Sequence, residues 1–264
     1  MSTSNKPHRR WLGFGLQIVF LLGLVIAASL GWAIFKTREQ VALAALKEMA
    51  FDIRFDEGGF TENSSERPTV LERLRMLLRE GKWRNVTSLY ATRSSSKFTD
   101  AELIHVAALK QLKNLGLDYM PQVTDAGLAH LQGLNQLESL SLYGTRVTDA
   151  GLAHLGRLTQ LKSLRLDRTY VTDAGLVHLA GLTQLEWLDL YDTRVTGTGL
   201  VHFQGLSQLK KLRLNGTQIT DAELVHLQGL SQLNELDLSR TQVTDAGVRQ
   251  LQKALPKCWI ERSP

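Results

Sequence analysis

From Val123 the chain returns to the same phrase every 24 residues. VTDAGLAHLQGLNQLESLSLYGTR is followed by VTDAGLAHLGRLTQLKSLRLDRTY from Val147, by further copies from Val171, Val195 and Ile219, and by a truncated one from Val243. An earlier relative begins FTDAELIHV at Phe98 and carries one extra residue around Met120-Pro121. A unit this short cannot bury an apolar face by itself, so the copies must stack and share one continuous core. That requirement constrains the fold more than any other feature of the 264 residues.

Each unit can be read in physical terms. In Ser139-Leu140-Ser141-Leu142-Tyr143 the leucines alternate, which predicts a short strand, and stacked copies place these strands side by side in a parallel sheet. Thr148 stands where a helix N-cap belongs, and the following Asp149 suits the positive end of the helix. Thr99-x-x-Glu102 and Thr220-x-x-Glu223 have the spacing of capping boxes. Leu152 and Leu155 fall on one helix face, and Gly133, Gly181, Gly205 and Gly229 are expected to close the short helices as C-caps, with Arg157 breaking that pattern. Thr145, Thr169, Thr193, Thr217 and Thr241 recur just after the strand, where a hydroxyl can bond the turning backbone. Leu255, Cys258 and Ile260 restore the apolar spacing at the carboxyl end if the connection before them is two residues short.

The 24-residue period and the L-x-x-L-x-L frame (Leu137, Leu140, Leu142; Leu161, Leu164, Leu166) resemble the leucine-rich repeat over about 160 residues. The resemblance implies an α/β, right-handed solenoid with a curved parallel sheet inside and short helices outside. The T-D-A-G-L helix starts are similar to F-box-type repeats and, more closely, to bacterial membrane-anchored leucine-rich-repeat proteins, in which a charged tail, a span, a helix-rich lead-in and such repeats follow in this order. No F-box-like helical segment accompanies the repeats.

Ahead of the repeats, residues 11–35 read WLGFGLQIVFLLGLVIAASLGWAIF, without a single Asp, Glu, Lys, Arg or His. As a helix this run spans about 37 Å, more than a hydrocarbon core of about 30 Å, with Trp11 and Trp32 near its ends. It predicts an N-terminal transmembrane helix behind a basic tail, residues 1–10. A cleavable signal peptide is the competing reading, with Ala27-Ala28-Ser29 as its small-residue site, but the apolar run continues through Trp32, Ile34 and Phe35. The short cationic tail favours the inner side, which places the remainder outside the cytoplasm. Residues 36–97 read as an α+β capping segment: helices over Arg38–Ala50 and from Pro68 to Glu80, a strand at Phe51, Ile53 and Phe55, and a further strand over Val86–Ala91. Residues 98–264 form the repeat domain.

The net charge of +5 invites a nucleic-acid reading, but three of those charges are Lys6, Arg9 and Arg10 beside the span. Residues 36–264 hold 28 basic and 26 acidic side chains, interspersed, and nucleic acid is not an expected partner. A single cysteine excludes an internal disulfide framework. Histidines recur at one helical position, His105, His130, His154, His178, His202 and His226. Parallel helices pack about 8–10 Å apart, whereas metal ligands need about 2 Å to a shared ion, so the column reads as repeat structure, with metal binding or catalysis the alternative. No cofactor is expected. The functional candidates lie between the strand leucines and beside them: Tyr143, Arg165, Asp167, Trp187, Asp189, Tyr191, Lys211, Arg213, Glu235 and Asp237. Arginines and aromatics on a concave sheet have the composition of a protein-binding surface. The expected function is therefore a non-enzymatic, membrane-anchored scaffold for a protein partner, with an F-box-like adaptor as the alternative.

Overall fold

The computed structural model describes residues 86–90 and 98–263. The expected basic tail, membrane span, two lead-in helices and first strand lie outside them. Among the described residues no helix is long and apolar enough to cross a membrane.

The described residues build one parallel sheet whose strands lie in chain order: β1 (Ser88–Tyr90), β2 (Asn114–Gly116), β3 (Ser139–Ser141), β4 (Ser163–Arg165), β5 (Trp187–Asp189), β6 (Lys211–Arg213), β7 (Glu235–Asp237) and β8 (Trp259–Glu261). The strand expected over 86–91 is present as β1 and opens the sheet against β2. From β3 onward neighbours pair with an offset of one repeat, Leu140 with Leu164, Leu188 with Leu212, Leu212 with Leu236. Every strand leucine from Leu140 to Leu238 is fully buried, each worth about 1.5–3 kcal/mol relative to exposure. Short α- and 3-10 helices return the chain on the opposite side of this core.

Two hydrogen-bond patterns recur along the stack, one closing the turn within each unit and one joining a unit to the next. After each strand from β2 to β7 the chain turns through a residue of positive φ, in the order Tyr119, Gly144, Arg168, Asp192, Gly216 and Arg240. The threonine that follows Gly144 and its counterparts donates its hydroxyl to the carbonyl three residues earlier, from Thr145 to Leu142 through Thr241 to Leu238, at 2.5–2.7 Å. Thr145 is buried, so this bond satisfies a hydroxyl that water cannot reach.

The second pattern involves the helix starts. Thr124, Thr148, Thr172, Thr220 and Thr244 cap their helices as expected, but the aspartates Asp125, Asp149, Asp173 and Asp221 beside four of them reach forward to the next unit. Asp125 accepts from the backbone N–H of Thr148 at 2.8 Å and from its hydroxyl at 2.6 Å, and Asp149 does the same for Thr172. Room for the carboxylate is made by the glycine of T-D-A-G: a Cβ on Gly151 would lie 2.4 Å from Asp125 Oδ1, and one on Gly175 2.4 Å from Asp149 Oδ1. Where the preceding aspartate is replaced by Gly197, the next unit has Glu223 in place of that glycine. Glu223 then accepts from both the N–H and the hydroxyl of Thr220, completing a capping box. Thr99 and Glu102 repeat that arrangement at the start of the Phe98 unit.

Two expectations are corrected. Gly133, Gly181, Gly205 and Gly229 do not close their helices in the left-handed region; the positive-φ glycines are Gly144, Gly197 and Gly216. The chain is already turning through 3-10 geometry at these helix ends, so no reversal of φ is needed. The last strand does not slip by two residues. Ile260 pairs with Leu236, one full repeat along, because the helix Asp245–Ala254 is longer than its predecessors and takes up the residues its connection lacks. Cys258 is nonetheless a buried core residue, and burial, helped by the Glu235 charge, pushes its thiol up to about 11.

Gly175→Ala is expected to destabilise the chain by about 1–3 kcal/mol in urea unfolding, through the clash with Asp149. Combined with Asp149→Ala it should cost about 1 kcal/mol less than the sum of the single changes, since removing the carboxylate frees the space; strict additivity would reject the interlock. Thiol labelling at neutral pH should reach Cys258 only after unfolding; fast labelling of the native chain would contradict its placement.

Candidate protein-binding face

Parallel strands lie about 4.8 Å apart while packed helices need about 8–10 Å, so stacking these units bends the sheet side inward. The ten residues expected to face a partner all belong to this side. It divides into a trough at the strand starts and a charged, aromatic ridge at the turns.

The trough lies over β5 to β8, encloses about 640 Å³, and has Trp187 and Trp259 in its lining together with Glu186, Lys210, Lys211, Arg213, Glu235, Asp237 and Glu261. The two indoles stand at equivalent positions three strands apart, about 14 Å across the sheet. Trp259 is 60% exposed, an unusual state for so large an apolar side chain. Between them the charges pair in place: Lys211 with Glu235 at 2.5 Å, Lys210 with Glu186 at 2.8 Å, and Arg213 with Asp189 at 3.1 Å and Asp237 at 3.8 Å. The exposed Lys211–Glu235 and Lys210–Glu186 bridges contribute little stability, whereas Arg213 is anchored on the buried Asp189 carboxylate.

At the ridge, Tyr143 packs against Tyr119 with ring centroids 4.3 Å apart, and the Arg165 guanidinium lies 5.2 Å from the Tyr143 ring. Arg165 is itself paired with two carboxylates, Asp118 at 3.4 Å and Asp167 at 3.2 Å. Tyr191 is ringed by Arg168, Arg213 and Arg240 at 5.4, 5.9 and 5.1 Å.

Asp167 and Asp189, expected as partner contacts, are buried at 3% and 0% exposure. They sit beneath the arginines and hold them; Asp189 also accepts from the Tyr191 N–H, fixing the turn. Burial first, and then the neighbouring Asp189 charge, push the Asp167 carboxyl up to about 6 against the opposing pull of Arg165. Eight of the ten expected residues thus face outward. Missed were Trp259, Lys210, Glu186 and Glu261 in the trough, and Tyr119, Asp118, Arg168 and Arg240 on the ridge. The period itself held the signal for Trp259, which falls in the column of Trp187, Lys211 and Glu235.

The helical side presents a different surface. Val177, Val201 and Val225 recur at one exposed position beside His178, His202 and His226. His154 Nδ1 lies 2.6 Å from Gln132 Nε2 of the preceding unit. Among the described residues no three His, Cys, Asp or Glu side chains are grouped to hold a metal ion.

Residues 183–243 match the leucine rich repeat family model. The fold is a leucine-rich-repeat solenoid. An internalin C2 from Listeria monocytogenes is similar to it, with 23% identity, 70% of this chain and 84% of that chain covered, and a TM-score of 0.54. A second internalin (inlF) of the same organism covers 69% of this chain and 55% of its own, with 24% identity and a TM-score of 0.53. At these identities the likeness is one of fold. No curated protein matches the chain.

In this leucine-rich-repeat sheet the raised Asp167 carboxyl binds its proton more tightly folded than unfolded. Its contribution to stability is therefore full below the ordinary carboxylate range and is lost as pH rises through about 6. Relative to Asp167→Asn, the natural chain should lose about 1–3 kcal/mol of unfolding free energy between pH 4 and 7. Parallel pH profiles of the two proteins would contradict this.

Proposed function

We propose that this chain is a non-enzymatic scaffold, anchored in a membrane through residues 11–35, that binds a protein partner on its sheet face. The observation that carries the reading is the trough between Trp187 and Trp259: two partly exposed indoles, held apart by strands of fixed spacing, over a floor of charges in set positions. Large aromatics in such a setting supply most of the energy of protein recognition, while paired charges select orientation. A leucine-rich-repeat sheet suits this use because its columns are rigid before any partner arrives.

The uncharged run at residues 11–35 supports the anchor, and the basic tail before it supports an inner amino terminus with the repeats outside the cytoplasm. The order of tail, span, lead-in and T-D-A-G-L repeats supports kinship with the bacterial membrane-anchored set. Capture from native membranes with the full chain as bait tests the reading. Trp187→Ala combined with Trp259→Ala should reduce recovery of the partner at least tenfold while leaving the thermal midpoint within a few degrees; equal recovery by both proteins would refute it.

A further inference from the structure

The ridge beside the trough holds donors that have no acceptor to match. Tyr191 projects from the turn after β5, and Arg168 Nη2 donates to its phenolic oxygen at 3.3 Å. Arg240 comes to the same oxygen from two units away and stands 5.1 Å from the ring. Its route crosses Gly216, where a Cβ would lie 3.3 Å from the Tyr191 ring. Two guanidinium groups are thus drawn to one neutral hydroxyl. Asp192 takes the Nε side of Arg168 at 3.5 Å, but Arg240 forms no ion pair among the described residues.

We propose that Arg168, Arg240 and the Tyr191 hydroxyl form a clamp for a carboxylate presented by an acidic segment of the protein partner. Each guanidinium carries five N–H donors in a planar fork that matches carboxylate geometry, and the phenol, accepting from both arginines, still has its own proton to give. Asp192 offsets only part of the charge of the two guanidinium groups, and an incoming carboxylate relieves the repulsion that is left. Donation from Arg240 first, and then Arg168, lowers the Tyr191 phenol from its ordinary value, in keeping with the positive field at this point. Both arginines also occupy the left-handed region, at φ 54° and 55°, a turn position that Gly144 and Gly216 fill in two units and Tyr119 and Asp192 in two others. Arginine stands at these two positions although glycine satisfies the turn at less conformational expense.

The inference rests on the sheet face being the binding face, and its test is separable from that reading. The full chain carrying ring-labelled tyrosine is titrated at low salt with a capped tetraglutamate peptide, the Tyr191 resonance being identified by Tyr191→Phe. A saturable shift of that resonance is expected. It should require at least tenfold more peptide in Arg168→Gly combined with Arg240→Gly, substitutions that suit the left-handed turns, and Arg240→Lys should weaken binding while leaving the turn residue charged. No saturable shift, or an affinity unchanged in the double variant, would overturn the clamp. Inorganic phosphate binding as tightly as the peptide would also overturn it, by assigning the site to a free anion. Should the clamp fail while the Trp187 and Trp259 changes still abolish capture, only the clamp falls; should capture also survive those changes, the sheet-face reading falls with it.

Discussion

A carboxylate slotted between two repeats sets the geometry of everything else in this molecule. Asp100, Asp125, Asp149, Asp173 and Asp221 each accept from both the N–H and the hydroxyl of the threonine that opens the next unit's helix start, in space that exists because the following helix has glycine where it would clash. Burial alone would raise the Asp173 carboxyl, but donation from Gly199, Thr196 and Gly197 holds it below its ordinary range. The interlock is conditional on both partners. Gly197 removes the aspartate and Glu223 replaces the glycine, so at that junction the threonine is capped from within its own unit. A Cβ on Gly197 would meet Glu223 at 2.7 Å, so the two replacements fit only together.

With the helix starts interlocked at every junction from Asp100 to Thr244 except the one at Gly197, and the strands paired at one-repeat offsets from β3 onward, the strands share one register. Each position of the 24-residue unit then becomes a straight column across the sheet. Trp187, Lys211, Glu235 and Trp259 form one such column, and Ser141, Arg165, Asp189 and Arg213 another. The proposed binding face is therefore a direct transcription of the residues that vary between units, while stability resides in what repeats.

Much of this is readable before any coordinates. Alternating leucines give the strands, threonine gives the caps and the turn bonds, and the period gives a parallel sheet in chain order. The forward reach of the aspartates is less legible, because a T-D start is equally well explained by the dipole of its own helix; only the pairing of Gly197 with Glu223 betrays a contact between units. The short helices mislead for a related reason, since glycine at a helix end reads as a left-handed cap whereas the chain here tightens into 3-10 turns. On the face, column membership can be counted from the period, but depth cannot. Asp167 and Asp189 share columns with exposed residues and are buried because Arg165 and Arg213 fold down onto them. The slip assumed at the carboxyl end hid Trp259, the aromatic that completes the trough.

The account stands or falls on which side of the solenoid meets the partner. The sheet side offers two indoles and paired charges; the helical side offers the exposed valines Val177, Val201 and Val225. If the proposed anchor holds the chain in a membrane, hydroxyl-radical footprinting of the full chain there and again after purification in detergent distinguishes them directly. The account requires Trp187 and Trp259 to be oxidised several-fold less in the membrane than in the purified state, with the three valines unchanged. Protection of the valines with the two tryptophans equally reactive in both states would contradict it.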